Sequence, residues 1–266
     1  PLTQDFPYEA TKGAAQALLG KVYLYHAKFD QSKFADAASS LNQVISSSQY
    51  ALTNGDSYNM LFEGEGENGS EAVFEIQYTG VQPAGWGCIE CSQGTYFPQF
   101  CGPRSPYDNP IYRAGWGFCL PSVELYDLFE DGDARRDITF YDLRDDQDSY
   151  SQGRDDTGLF NRKYMPRSAA DGIGADPLNY SQNYRTIRYA DVLLLHVEAI
   201  MAGGTSTSAP AALESFRLVR ERAGLDPVEI NSTNVVEVIA HERFVEFYGE
   251  NTDRLFTITR LGLADD

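Results

Sequence analysis

Residues 184–202, Y-R-T-I-R-Y-A-D-V-L-L-L-H-V-E-A-I-M-A, constrain the fold more than any other stretch of the 266-residue chain. Ile187, Ala190, Leu194, Val197 and Met201 recur at steps of three and four, which is one helix face. Val192, Leu193, Leu195, Ala199 and Ile200 add apolar surface on other faces. A helix that is apolar most of the way round is stable only when several neighbours cover it. The spacing therefore predicts a buried central helix over 184–202. Asp191, His196 and Glu198 interrupt the run, so it is not a membrane span. Asp191 and Glu198 lie seven apart on a shared face. They are expected to pair with arginines of neighbouring helices, with a catalytic carboxylate pair as the alternative.

Helical patterns flank this centre. Residues 11–28 read as a helix with Thr11 as N-cap and a stripe of Ala14, Ala17, Leu18, Lys21, Val22 and Tyr25. Residues 31–47 read as a second, with Phe34, Ala37, Ala38, Leu41, Val44 and Ile45 inward. The short join at Phe29 and Asp30 makes an antiparallel hairpin, the form of one tetratricopeptide unit. Further helices are expected over 120–130, 209–223 and 232–249, and short strands over 71–78 and 138–143. Residues 79–119 fit neither period. This Gly- and Pro-rich stretch holds both tryptophans and all four cysteines. An irregular aromatic insert of that length inside a compact domain is usually functional. The expected fold is mostly α, one domain over 1–266, with tetratricopeptide-like hairpins, a few short strands and the 79–119 insert.

Net charge narrows the partners. With 39 acidic against 21 basic residues, the chain carries −18 and has no cationic field for nucleic acid or anionic lipid. A neutral ligand such as a sugar is compatible. The opening Pro1-Leu2-Thr3 suggests a processed chain or an excised fragment, with no signal peptide or transmembrane segment. Cys88 and Cys91 have C-x-x-C spacing, while Cys101 and Cys119 stand eighteen apart. This favours two disulfides in an oxidising compartment over free thiols or a structural zinc. The aspartates of 142–156 lack EF-hand spacing and read as a solvated acidic loop; a structural calcium there is not assignable, and no cofactor is expected. His241-Glu242 begins like H-E-x-x-H, but Val245 stands where the second histidine would be. No nucleophile elbow or phosphate-binding glycine loop occurs.

Five segments, in order, resemble the SusD/RagB family. They are the helix from Thr11 to Tyr25, the strand Glu71-Ala-Val-Phe-Glu-Ile-Gln77, and the run Ile187-Arg-Tyr-Ala-Asp-Val-Leu-Leu-Leu195 with Glu198-Ala199. Val219-Arg-Glu-Arg-Ala-Gly-Leu225 and the closing Glu242-Arg243, Glu246, Glu250 and Arg254 complete them. Thr257 departs from the pattern, standing where an acidic residue is expected. The resemblance is to the C-terminal portion of the family's chain. It implies a surface-exposed outer-membrane lipoprotein, anchored through an N-terminal portion, that binds glycan or in some members peptide without cleaving it. It also implies a SusC-like TonB-dependent transporter as partner.

Sugars present C–H faces for aromatic stacking and hydroxyls for paired hydrogen bonds. The insert offers both chemistries, and the candidate ligand residues are Trp86, Tyr96, Tyr107, Asp108, Asn109, Tyr112, Arg113 and Trp116. The rivals to a glycan binder are a peptide-cargo binder, a helical protein-interaction module and a glycoside hydrolase. Ligand-induced tryptophan fluorescence and the appearance of product sugars separate them.

Overall fold

The computed structural model describes residues 9–80, 87–107, 109–167, 178–203, 209–250 and 253–264. In chain order the elements are α1 (Lys12–Ala27), α2 (Lys33–Ser46), α3 (Asp56–Asn59), β1 (Ala72–Ile76), α4 (Phe97–Cys101), α5 (Val123–Tyr126) and α6 (Ala134–Thr139). Then follow β2 (Phe140–Asp142), β3 (Leu159–Asn161), β4 (Tyr184–Arg188), α7 (Tyr189–Met201), α8 (Ala209–Arg222), α9 (Val235–Phe247) and α10 (Asp253–Leu261). They form two compact units. The first comprises Pro1–Tyr58, Asn68–Glu75 and Arg185–Asp266; the second comprises Asn59–Glu67 and Ile76–Tyr184.

The first unit is the helical scaffold. Thr11 starts α1 by accepting the Ala14 N–H on its Oγ1 at 3.0 Å, as its N-cap position predicts. The buried positions of α1 are Gly13, Ala14, Ala17, Gly20, Leu24 and Ala27. A Cβ on Gly20 would stand 2.6 Å from Leu41 Cγ, so the two helices approach closely because that position has no side chain. This corrects the expected stripe: Leu18 and Val22 are each 54% exposed. Small residues permit the closest approach, and they turn the larger ones outward.

The expected 184–202 helix is also shorter. Residues Tyr184–Arg188 are strand, paired with β1. Tyr189 N–H donates to Glu71 O at 2.9 Å at one end, and Arg185 faces Glu75 at the other, so the strands run antiparallel. β-branched Thr186 and Ile187 suit this ladder, and helix begins only at Tyr189. Every residue of α7 from Tyr189 to Ile200 is buried. Leu193, Leu194 and Leu195 each contribute roughly 1.5–3 kcal/mol by that burial.

Charged residues of four family-like segments meet inside this unit. Arg188 bonds Glu71, Glu246 and Glu250, and Arg222 bonds Glu71 and Glu246. All five side chains are 2% exposed or less. Burial raises the Glu71 carboxyl, but Arg222 and Arg188 outweigh it and hold the group below the usual carboxylate range. Asp191 bonds Arg243 at 2.6 Å, and Glu198 bonds Arg260 at 2.8 Å. Each thus has its own arginine partner, as expected of this pair. Glu242 of the near-miss zinc motif pairs with Arg220.

His196 sits in the same interior, 1% exposed, with Nδ1 3.0 Å from Ser215 Oγ. Burial lowers its pKa from 6.5 to about 4. The unfolded chain therefore takes up a proton near pH 6.5 that the folded chain refuses until about pH 4. Stability is expected to fall as pH drops through that window, by up to about 3 kcal/mol. Urea unfolding of wild type and His196→Asn at several pH values checks this. A slope that persists between pH 6.5 and 4.5 in the variant would assign the effect to other groups.

In the second unit, helix over 120–130 is confined to the four residues of α5, capped by Ser122 Oγ accepting the Leu125 N–H at 3.2 Å. Pro121 stands just before the cap. The expected 138–143 strand begins late because Asp133 caps α6, which takes Ile138 and Thr139 into helix. β2 pairs antiparallel with β3, Tyr141 opposite Phe160. The acidic loop is internally bonded. Asp142 forks onto Arg144, and Asp156 accepts from Tyr150 Oη and from the Gly153 and Gly158 N–H groups.

Candidate functional site

The site residues expected from the sequence fall in the second unit. Its irregular insert is held by backbone pairing between two remote segments. Trp116 N–H donates to Gln99 O at 2.8 Å, Gly117 N–H to Gly102 O at 2.8 Å, and Phe118 N–H to Phe100 O at 2.9 Å. A Cβ on Gly115 would lie 2.7 Å from Gln99 O and Gly102 N, so only glycine admits this approach.

The pairing brings three rings together. Phe100 and Trp116 meet edge to face at 5.2 Å, Phe100 and Phe118 stack at 5.9 Å, and Trp116 and Phe118 lie 6.0 Å apart. Phe118 is 48% exposed, and the other two rings are half-buried. Arg104 fixes the underside. Its Nε donates to Trp116 O at 2.9 Å, and its side chain lies against the backbones of Gly117 and Gly153. The result is a partly exposed aromatic cluster on a braced backbone, with Phe118 its exposed ring.

A second cluster is polar. Tyr107 Oη donates to Tyr141 Oη at 3.0 Å, and Asn109 Nδ2 donates to the same oxygen at 3.0 Å. Asn109 Oδ1 accepts the N–H groups of Ile111 and Tyr112, which fixes the turn. Burial and then the bond to Tyr141 push the Tyr107 hydroxyl well above its usual range, so it stays protonated as a donor. Tyr112 is only 4% exposed. Its hydroxyl accepts from Arg162 Nε at 2.9 Å and its ring lies under Arg167, so it is a packing residue rather than an offered ring.

The other expected residues are placed as follows. Tyr96 is half-buried at the start of α4. Arg113 is half-buried, and its N–H donates to Pro166 O at 2.8 Å. Trp86 and Asp108 lie outside the described residues. One crosslink rather than two is present: Cys88 bonds Cys91, while Cys101 and Cys119 keep free thiols. Burial pushes the Cys101 thiol far up, which leaves it unreactive. Sequence reasoning missed Phe100, Phe118 and Tyr141. Gly117 takes φ +61°, so the spacing of Trp116-Gly-Phe118 does not by itself put both rings on one side. Nothing local signals Phe100 or Tyr141.

Comparison with known proteins follows the same lines. Residues 139–266 match the model of the SusD family. SusD-like protein P2 of Formosa agariphila is 27% identical over 285 residues, covering 100% of this chain and 54% of its own length. Surface glycan-binding protein A from Bacteroides fluxus superposes with a TM-score of 0.83 at 33% identity, over 97% of this chain and 53% of that one. Surface glycan-binding protein A from Bacteroides thetaiotaomicron, solved in complex with laminarihexaose, gives 0.85 at 28% identity, over 98% of this chain and 57% of that one. The chain spans about half the length of the curated relatives it matches. Residues 139–266 thus match the SusD family, and the chain shares the fold of SusD-like surface glycan-binding proteins.

Proposed function

We propose that the chain is part of a non-catalytic binder of neutral oligo- or polysaccharide at the cell surface. It passes its cargo to a SusC-like TonB-dependent transporter of the outer membrane, where a lipid anchor in the remaining part of the protein holds it. The observation that carries this reading is the braced platform of Phe100, Trp116 and Phe118. Phe118, its exposed ring, offers apolar surface of the kind that packs on sugar C–H groups. The Tyr107–Tyr141–Asn109 network supplies hydroxyl and amide groups of the kind that pair with sugar hydroxyls.

The laminarihexaose complex of the Bacteroides thetaiotaomicron relative makes that sugar the first ligand to test. Isothermal titration of the protein with laminarihexaose is expected to give saturable binding. Chromatography of the same samples is expected to return the hexaose intact. Shorter sugars would identify a hydrolase. Heat from peptides but from no glycan in a panel would identify a peptide-cargo binder.

A further inference from the structure

We infer that the cavity between α9 and α10 is a binding site for a small aromatic carboxylate, with Arg254 as the residue that takes its carboxylate. The walls belong to the helical unit alone. Arg243, Phe244, Phe247 and Tyr248 come from α9 and its end, and Arg254 and Thr257 from α10. The space encloses about 240 Å³. An apolar cavity of about 150 Å³ already holds a benzene ring. Phe244 and Tyr248 meet edge to face at 6.1 Å, so the walls suit a further ring.

The other arginines of this chain show what Arg254 lacks. Arg135, Arg144, Arg167, Arg188, Arg217 and Arg260 each lay Nε and Nη2 side by side on one carboxylate. Arg254 is anchored by its remaining nitrogen. Its Nη1 donates to Ala240 O at 3.0 Å, and its guanidinium lies over the Phe244 ring at 4.3 Å. Among the described residues, its Nε and Nη2 have no acceptor and its charge has no carboxylate partner. Burial lowers its pKa, whereas the bonds to Asp142 and Glu214 raise those of Arg144 and Arg217. The other charges of the wall are already matched. Arg243 bonds Asp191 and Asp253, and Asp253 also bonds Lys21. An incoming carboxylate thus meets a guanidinium edge that is not already spent, and bidentate pairing there is the strong form of the bond. Ring and carboxylate in one small molecule answer both features of the cavity. A neutral sugar has neither group, so this site is independent of the glycan reading.

Isothermal titration of the 266-residue chain with phenylacetate tests this, with phenylacetamide as the neutral isostere. Phenylacetate is expected to bind one to one, about tenfold more tightly than the amide. Arg254→Gln is expected to abolish that preference. Thr257→Asp sets a carboxylate one helical turn beyond Arg254, on the same face and in the cavity wall. It should fill the fork from inside, weaken phenylacetate about tenfold and raise the melting temperature by a few degrees. No saturable heat up to about 10 mM phenylacetate would overturn the inference. So would equal affinity for acid and amide, which would mean an apolar cavity only. Binding that survives both substitutions would place the ligand elsewhere and overturn it too.

Discussion

Replacing Arg188 with alanine is expected to lower the free energy of unfolding by about 3–5 kcal/mol, the cost of stranding buried charges. Two guanidiniums, Arg188 and Arg222, face three carboxylates, Glu71, Glu246 and Glu250. Without Arg188, one cation is left against three anions at 2% exposure or less. Its place over the Phe247 ring, at 4.8 Å, is emptied as well. A domain of this size holds about 5–15 kcal/mol in total, so the variant sits near the edge of folding. Urea midpoints measure the loss. Adding Glu250→Gln removes one stranded anion and should restore part of it. A loss under about 1 kcal/mol would mean that the cluster is hydrated and weak.

Trp116→Ala is expected to weaken glycan binding about 30-fold, the scale of an aromatic anchor worth about 2 kcal/mol. Trp116 also packs on Phe100, so the variant alone confuses binding with folding. Phe118→Ala resolves this. Its ring is 48% exposed, so truncation should lower affinity several-fold with little change in melting temperature. Titration calorimetry with laminarihexaose and thermal melts of both variants give the answer. Unchanged affinity in both would remove the platform from the binding surface.

Much of the scaffold was legible because its signals are local. The Thr11 cap, the tight join before α2 and the arginine partners expected for Asp191 and Glu198 all follow from spacing and residue type. The misreadings share another cause. Arg185, Thr186 and Ile187 suit helix or strand, and only β1, more than a hundred residues earlier, decides between them. Leu18 and Val22 look like core, but Gly20 set the seam through its contact with Leu41. The platform was half legible: Trp116 and the insert stood out, whereas Phe100 joins through backbone bonds between segments with no shared period. The family-like charges were visible as a pattern, but their meeting in one interior cluster was not.

The antiparallel ladder of β1 and β4 has a topological consequence. Ile76 and Tyr184, which bound the longer segment of the second unit, are the last and first residues of neighbouring strands. Strand neighbours lie about 5 Å apart, so the entire excursion between them is closed at its base like a cassette. Loop-closure cost grows only slowly with length. The cassette's irregular stretches can therefore be lengthened at little closure cost, provided that Asn59–Glu67, tied in through Glu63 and Arg167, stays with it.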